Sequence, residues 1–146
     1  MKRIFTIGFT QKTAEHFFRL LADAGVKQVV DTRLNNRSQL AGFSKADDLP
    51  FFLRTIGGMG YRHAPEMAPT QEMLDRYKKL KGSWLAYEEE FNALLVRRNL
   101  IETVSLKELS ESCLLCSEHE PTHCHRRLVA EYLRRFYPDL QIVHLQ

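Results

Sequence analysis

The stretch RIFTIGFTQKTAEHFFRLLADAGVKQVVDT, residues 3–32, decides the fold. Arg3 to Phe9 is a β-type run broken by Gly8 near its end, and Thr10 stands where it can cap a following helix. Ala14, Phe17, Phe18 and Leu21 recur at helical spacing, and Gly25 sits where that helix should stop. KQVVDT, residues 27–32, reads as a second short strand with Asp31 near its end. Strand, helix and strand within about thirty residues is the size of a βαβ unit.

Outward from that unit the alternation continues. Residues 33–44, RLNNRSQLAGFS, are polar and turn-rich and read as a loop. Asp47 or Asp48 can cap a helix through Phe51, Phe52 and Leu53, with Pro50 in its first turn, and Gly57, Gly58 and Gly60 end it. Tyr61 to Ala64 reads as a brief strand and HAPEMAPT, residues 63–70, as a loop. Thr70 starts a helix that Gly82 and Ser83 interrupt. Trp84, Tyr87, Phe91, Leu94 and Leu95 form a second apolar stripe, read as core packing, and Arg76, Lys78, Lys79 and Lys81 read as a wet face. A weaker helix follows near Leu106 to Ser110. Cys113 to Cys116 is a short apolar strand, His123 to Tyr137 a helix stopped by Pro138, and Leu140 to Leu145 a last strand.

This pattern predicts one α/β domain over residues 1–146, with a mainly parallel sheet flanked by helices. Ligands in such sheets sit beyond the carboxyl ends of the strands. Gly8, Asp31, Arg33, His63 and Cys116 are all expected near that rim.

The totals bound the function classes. At 146 residues with 44% hydrophobic and 27% charged residues, the chain can bury a proper core. No apolar run approaches the roughly 20 residues that span a bilayer, and MKRIFTIGFT is too short in apolar residues for a signal peptide. A cytoplasmic location is therefore expected, with no membrane partner. Three cysteines, an odd number, point to reduced thiols. A net charge of +3 is compatible with an anionic ligand and discriminates little.

The densest chemistry lies in CLLCSEHEPTHCHRRL, residues 113–128, which holds every cysteine and the pair Arg126–Arg127. As a metal centre, Cys116, Cys124 and His125 are plausible zinc ligands with His119 or His123, but no second paired knuckle is present. As a reactive site, Cys116 ends a strand, Thr122 caps a helix, and Cys124 falls in its first turn, where amides and dipole favour a thiolate or a bound anion. Glu118 or His125 can carry a proton. As plain structure, Cys113 opens an apolar strand and reads as inert, and His125 shares the inner helix face with Leu128, Val129 and Tyr132. As a nucleic-acid surface, Arg126, Arg127, Arg134 and Arg135 share a helix, Arg33 and Arg37 a loop, and Tyr61 or Phe43 can stack on bases. Asp31 and Arg33, in VVDTR, form a second constellation, as a functional pair or a surface ion pair.

CSEHEPTHCHR, residues 116–126, resembles the cysteine, acid, proline, Cys-His-Arg signature of the bacterial and archaeal "domain of unknown function 488" family. TIGFT, VVDTR, and NNRSQLAGFSK followed by GMGYRHAPEM resemble its other blocks in the same order. The resemblance covers essentially the whole chain. It implies a compact α/β domain with no established activity. It points to Gly8, Asp31, Arg33, Phe43, Ser44, Cys116, Glu118, Pro121, Cys124, His125 and Arg126. Gln39 stands where the family pattern has a more basic residue.

These readings converge on an enzyme acting on a small phosphate-bearing or nucleotide-like ligand. Cys116, Glu118, Cys124 and His125 are the catalytic candidates. Gly8, Asp31, Arg33, Ser44 and Arg126 are the ligand-binding candidates. A nucleic-acid or nucleotide binding module, and a domain with a structural metal in the 116–125 turn, are the alternatives. No cofactor or oligomeric state follows from the sequence.

Overall fold

Residues 3–32 fold as their spacing predicts. Strand β1 (Arg3–Gly8), helix α1 (Ala14–Asp23) and strand β2 (Gln28–Asp31) follow one another, and Phe17, Phe18 and Leu21 on α1 are buried. Burying each such side chain contributes about 1.5–3 kcal/mol. The cap of α1 is Thr13, whose side chain accepts from the amide of His16, rather than Thr10. Thr10 is committed elsewhere, because its amide and hydroxyl both donate to the Ser117 carbonyl.

The computed structural model describes residues 2–37 and 42–146. After β2 come α2 (Leu49–Gly57), β3 (Gly60–His63), α3 (Gln71–Lys78), α4 (Trp84–Arg97), α5 (Leu100–Thr103) and α6 (Leu106–Leu109). Then follow β4 (Ser112–Cys116), α7 (His125–Phe136) and β5 (Gln141–His144). Thr70 caps α3 and Ser83 caps α4 through their side chains. Asp48 precedes α2 without a side-chain cap bond. Gly58 ends that helix at φ +63, a left-handed conformation that glycine adopts without a Cβ penalty.

Among the described residues the strands form one five-stranded sheet, ordered β3-β2-β4-β1-β5, with every pairing parallel. The register sets Gly8 opposite Cys116, and Asp31 opposite both Leu115 and His63. Side chains alternate between faces along each strand. Phe5, Ile7, Val29, Cys113 and Leu115 pack with Phe17 and Leu21 of α1 and Leu49 and Leu53 of α2. Ile4, Val30 and Leu114 pack with Phe91 and Leu95 of α4 and Leu128 and Tyr132 of α7. Helices α1 and α2 thus cover one face, and the helices from α3 onward cover the other.

This division positions the site. The chain leaves β1 and β2 towards one face and leaves β4, between them, towards the opposite face. Loops that diverge in this way open a crevice at the carboxyl edge of the sheet. Among the described residues no helix is long and apolar enough to cross a membrane.

Candidate functional site

Cys116 is the last residue of β4 and lies on the α7 side of the sheet, one step of alternation from Leu115. His125 is the first residue of α7. The helix starts later than its periodicity suggests. The Cys124 amide donates to the Pro121 carbonyl at 3.2 Å, so a tight turn occupies 121–124. Cys124 is consequently the N-cap residue, not a first-turn residue, and Thr122 does not cap the helix.

The His125 ring is fixed from one side. Its Nε2 lies 2.7 Å from the Thr32 carbonyl, which can only accept, so Nε2 carries the hydrogen. The Thr32 hydroxyl, 3.0 Å from the same nitrogen, donates to the Leu115 carbonyl at 2.8 Å. Nδ1 then faces Cys116 Sγ at 3.5 Å. Burial opposes ionisation of Cys116, but a hydrogen bond with Cys124, the charge and hydrogen bond of His125 and the charge of Arg126 outweigh it, and the thiol is held well below its ordinary range. Burial opposes protonation of His125, yet its charge and hydrogen-bond interaction with Cys116 raise its pKa. Burial and the neighbouring Cys116 push Cys124 up, so Cys124 stays a thiol. Both shifts run in the direction of a Cys116–His125 ion pair. Cys113, on the other face, has its thiol pushed up by burial.

Asp31 and Arg33 form an ion pair that is buried rather than at the surface, with the two side chains 0% and 2% exposed. Arg33 Nε and Nη2 donate to the two Asp31 oxygens at 2.8 Å each, and Nη2 also donates to the Ser44 carbonyl at 2.6 Å. Tyr61 donates its hydroxyl to Asp31 at 2.5 Å. Burial works against the Asp31 charge, but Arg33 and Tyr61 overcome it and hold the carboxyl below its ordinary range. Arg33 Nη1 is buried and has no hydrogen-bond partner among the described residues.

Arg126 and Gly8 shape the loop instead of lining the crevice. Arg126 is fully buried and donates from Nη1 to the Glu118 carbonyl at 2.6 Å and from Nη2 to the His119 carbonyl at 3.2 Å. A Cβ on Gly8 would sit 1.6 Å from the Glu118 carbonyl oxygen. Arg126 thus spends Nη1 and Nη2 on loop backbone, while its Nε is buried with no hydrogen-bond partner among the described residues.

A cavity of about 210 Å³ opens at the crevice. Arg33, Cys116, Glu118, Cys124 and His125 line its polar side, and Tyr77, Trp84, Tyr87 and His123 its aromatic side. Glu118 reaches Lys78, another lining residue, at 2.5 Å. Cys116, Cys124 and His125 each offer a ligand atom within 4.8 Å of the others, a set that could hold a metal ion.

The family model for the domain of unknown function DUF488 matches residues 13–133. The chain belongs to the DUF488 family. No curated protein and no solved structure matches it.

In this DUF488 chain the two constellations expected at one rim are linked there through Thr32, which lies beside Asp31 and Arg33 and holds His125. Gln39 lies outside the described residues. Arg127 engages Glu88 and Glu131, while Arg134 and Arg135 are exposed near the far end of α7. Tyr61 is tied to Asp31, and Phe43 packs against the α1–α2 core, so both rings are occupied within the DUF488 fold. Sequence reasoning missed Thr32, Lys78 and the aromatic wall. Helical periodicity marked Trp84 and Tyr87 only as apolar and Lys78 only as wet, and periodicity carries no information about which wet or apolar face meets a crevice.

Proposed function

We propose that this chain is an enzyme that uses Cys116 as a nucleophile on a small anionic ligand, phosphate-bearing or nucleotide-like. The observation that carries this reading is the 3.5 Å approach of Cys116 Sγ to His125 Nδ1 on the cavity wall, with Nε2 locked by Thr32. A thiolate beside an oriented imidazolium is the arrangement that activates cysteine for covalent chemistry. Arg33, a lining residue of the cavity, binds the anion. Asp31 and Ser44 serve by orienting Arg33, Gly8 and Arg126 by placing the 117–119 backbone. Glu118, paired with Lys78, and His125 are the proton carriers. The aromatic wall of Tyr77, Trp84 and Tyr87 suits a ligand with a flat ring.

The test is the pH profile of alkylation at Cys116 by iodoacetamide in the native protein. An ordinary thiol loses about tenfold in rate per pH unit below its pKa near 8.5. Cys116 is depressed, so its thiolate persists as pH falls below that value, and the rate should fall much less steeply than that of an ordinary thiol. His125→Ala should restore the ordinary slope, and inorganic phosphate should slow the wild-type reaction. An ordinary slope in the wild type would remove Cys116 from the mechanism.

A second reading, a metal held by Cys116, Cys124 and His125, is favoured by the clustering of their ligand atoms within 4.8 Å. The Thr32 carbonyl on Nε2 is the kind of partner that orients a ligating imidazole. Stoichiometric zinc in the purified protein, with loss of stability on chelation, would select it over the thiolate reading.

A further inference from the structure

The cavity wall carries two thiols, and a nucleophilic mechanism needs one. Cys116 and Cys124 both line the cavity, both are nearly inaccessible elsewhere, and their sulfur atoms lie within 4.8 Å. A disulfide requires about 2.05 Å, a distance that side-chain rotation has to close. Cys124 stands at the end of the 121–124 turn, and its sulfur interacts with Cys116. Cys113 faces the opposite core and is out of reach by alternation. Arg33 also lines this cavity.

We propose that Cys116 and Cys124 form a redox pair that reduces small hydroperoxides and cycles between dithiol and disulfide. This rests on the reading of Cys116 as the nucleophile and adds a role for Cys124. Cys116 sulfur attacks the terminal peroxide oxygen, forming an S–O bond as the O–O bond breaks. The leaving alkoxide or hydroxide takes the proton from His125 Nδ1 and departs as alcohol or water, and Cys116 is left as a sulfenic acid. The Cys124 sulfur then attacks the Cys116 sulfur. The S–O bond breaks, the hydroxide leaves with the Cys124 proton as water, and the disulfide closes. The peroxide gains two electrons and the cysteine pair loses two. A small external dithiol returns the pair to its reduced state by thiol–disulfide exchange.

The test uses the full chain, reduced and chelator-treated. Hydrogen peroxide is added, followed by iodoacetamide in denaturant and intact-mass measurement. The number of alkylated cysteines should fall from three to one, and digestion should yield a Cys116–Cys124 cross-linked peptide. Dithiothreitol should restore all three. Cys124→Ser should stop at a sulfenic acid on Cys116, trapped by dimedone. Cys116→Ser should consume peroxide at least about tenfold more slowly, because the attacking thiolate is gone. Cys113→Ala should match the wild type. If a serine variant fails to fold, the wild-type cross-link decides alone. Rapid native alkylation of Cys116 without a cross-link to Cys124, or a cross-link through Cys113, overturns the redox pair and leaves the nucleophile standing. Failure of native alkylation at Cys116 removes both.

Discussion

At Gly8 the missing side chain is itself a contact. β1 ends there so that the Glu118 carbonyl can pass where a Cβ would stand, 1.6 Å away, with Arg126 Nη1 at 3.0 Å. Backbone cannot yield as a flexible side-chain tip can. Gly8→Ala should therefore push the 117–119 segment outward and cost at least about 3 kcal/mol in denaturant unfolding, at the upper end of overpacking effects. Gly42→Ala is the matched control, since a Cβ at Gly42 meets nothing among the described residues within 4 Å, and it should stay within about 0.5 kcal/mol of the wild type. Equal losses at the two positions would show that the close approach at Gly8 has no energetic weight. The same residue-scale logic separates the cysteines. Cys113 and Cys116 lie three positions apart on β4, face opposite cores, and have thiols shifted in opposite directions.

At the scale of elements, the site depends on how α7 is tied to the loop before it. Arg126 reaches back from the first turn of α7 to the Glu118 and His119 carbonyls, so helix and loop move as one. Arg126→Met keeps the apolar stem and removes both bonds. It should cost about 2–4 kcal/mol, since charged hydrogen bonds are lost and the carbonyls are left unpaired. It should also raise amide hydrogen exchange selectively in residues 117–123, and unchanged exchange there would refute the pinning role. The elements themselves were legible, because α1, α3, α4 and α7 carry local apolar periodicity. The capping residue of α1 was not, because Thr10 is diverted by Ser117, a partner about a hundred residues along. Nor was strand order, since β4 enters between β1 and β2 through pairings that no local pattern announces. Thr32 escaped notice for the same reason: its bond to His125 exists only after β2 and β4 have paired.

At the scale of the whole molecule, both cores end at one carboxyl rim, and the Asp31–Arg33 pair closes that rim from below. Five hydrogen bonds converge on the Asp31 carboxylate, two from the Arg33 guanidinium and one each from the Arg33 amide, Tyr61 and Asn36. The pair is a determinant of global stability with a defined pH signature. The Asp31 carboxyl is depressed in the fold relative to about 3.9 when unfolded. Its contribution is thus fully present above that unfolded value and is lost as pH falls through the lower folded value. Asp31→Asn removes the charge and leaves Arg33 buried and uncompensated, which should cost about 3–5 kcal/mol near neutral pH. Between about pH 4 and 2 the wild type should lose stability more steeply than the variant, because only the wild type must protonate Asp31. Thermal unfolding across that range measures both slopes, and other carboxylates cancel in the comparison. Parallel curves would mean that the Asp31 pKa is the same in the folded and unfolded chain. Replacing both partners, Asp31→Asn with Arg33→Met, should recover part of the loss, since the cost lies mainly in the stranded charge. The double variant should still lose phosphate protection of Cys116, which separates the part Arg33 plays in the fold from its part in the cavity.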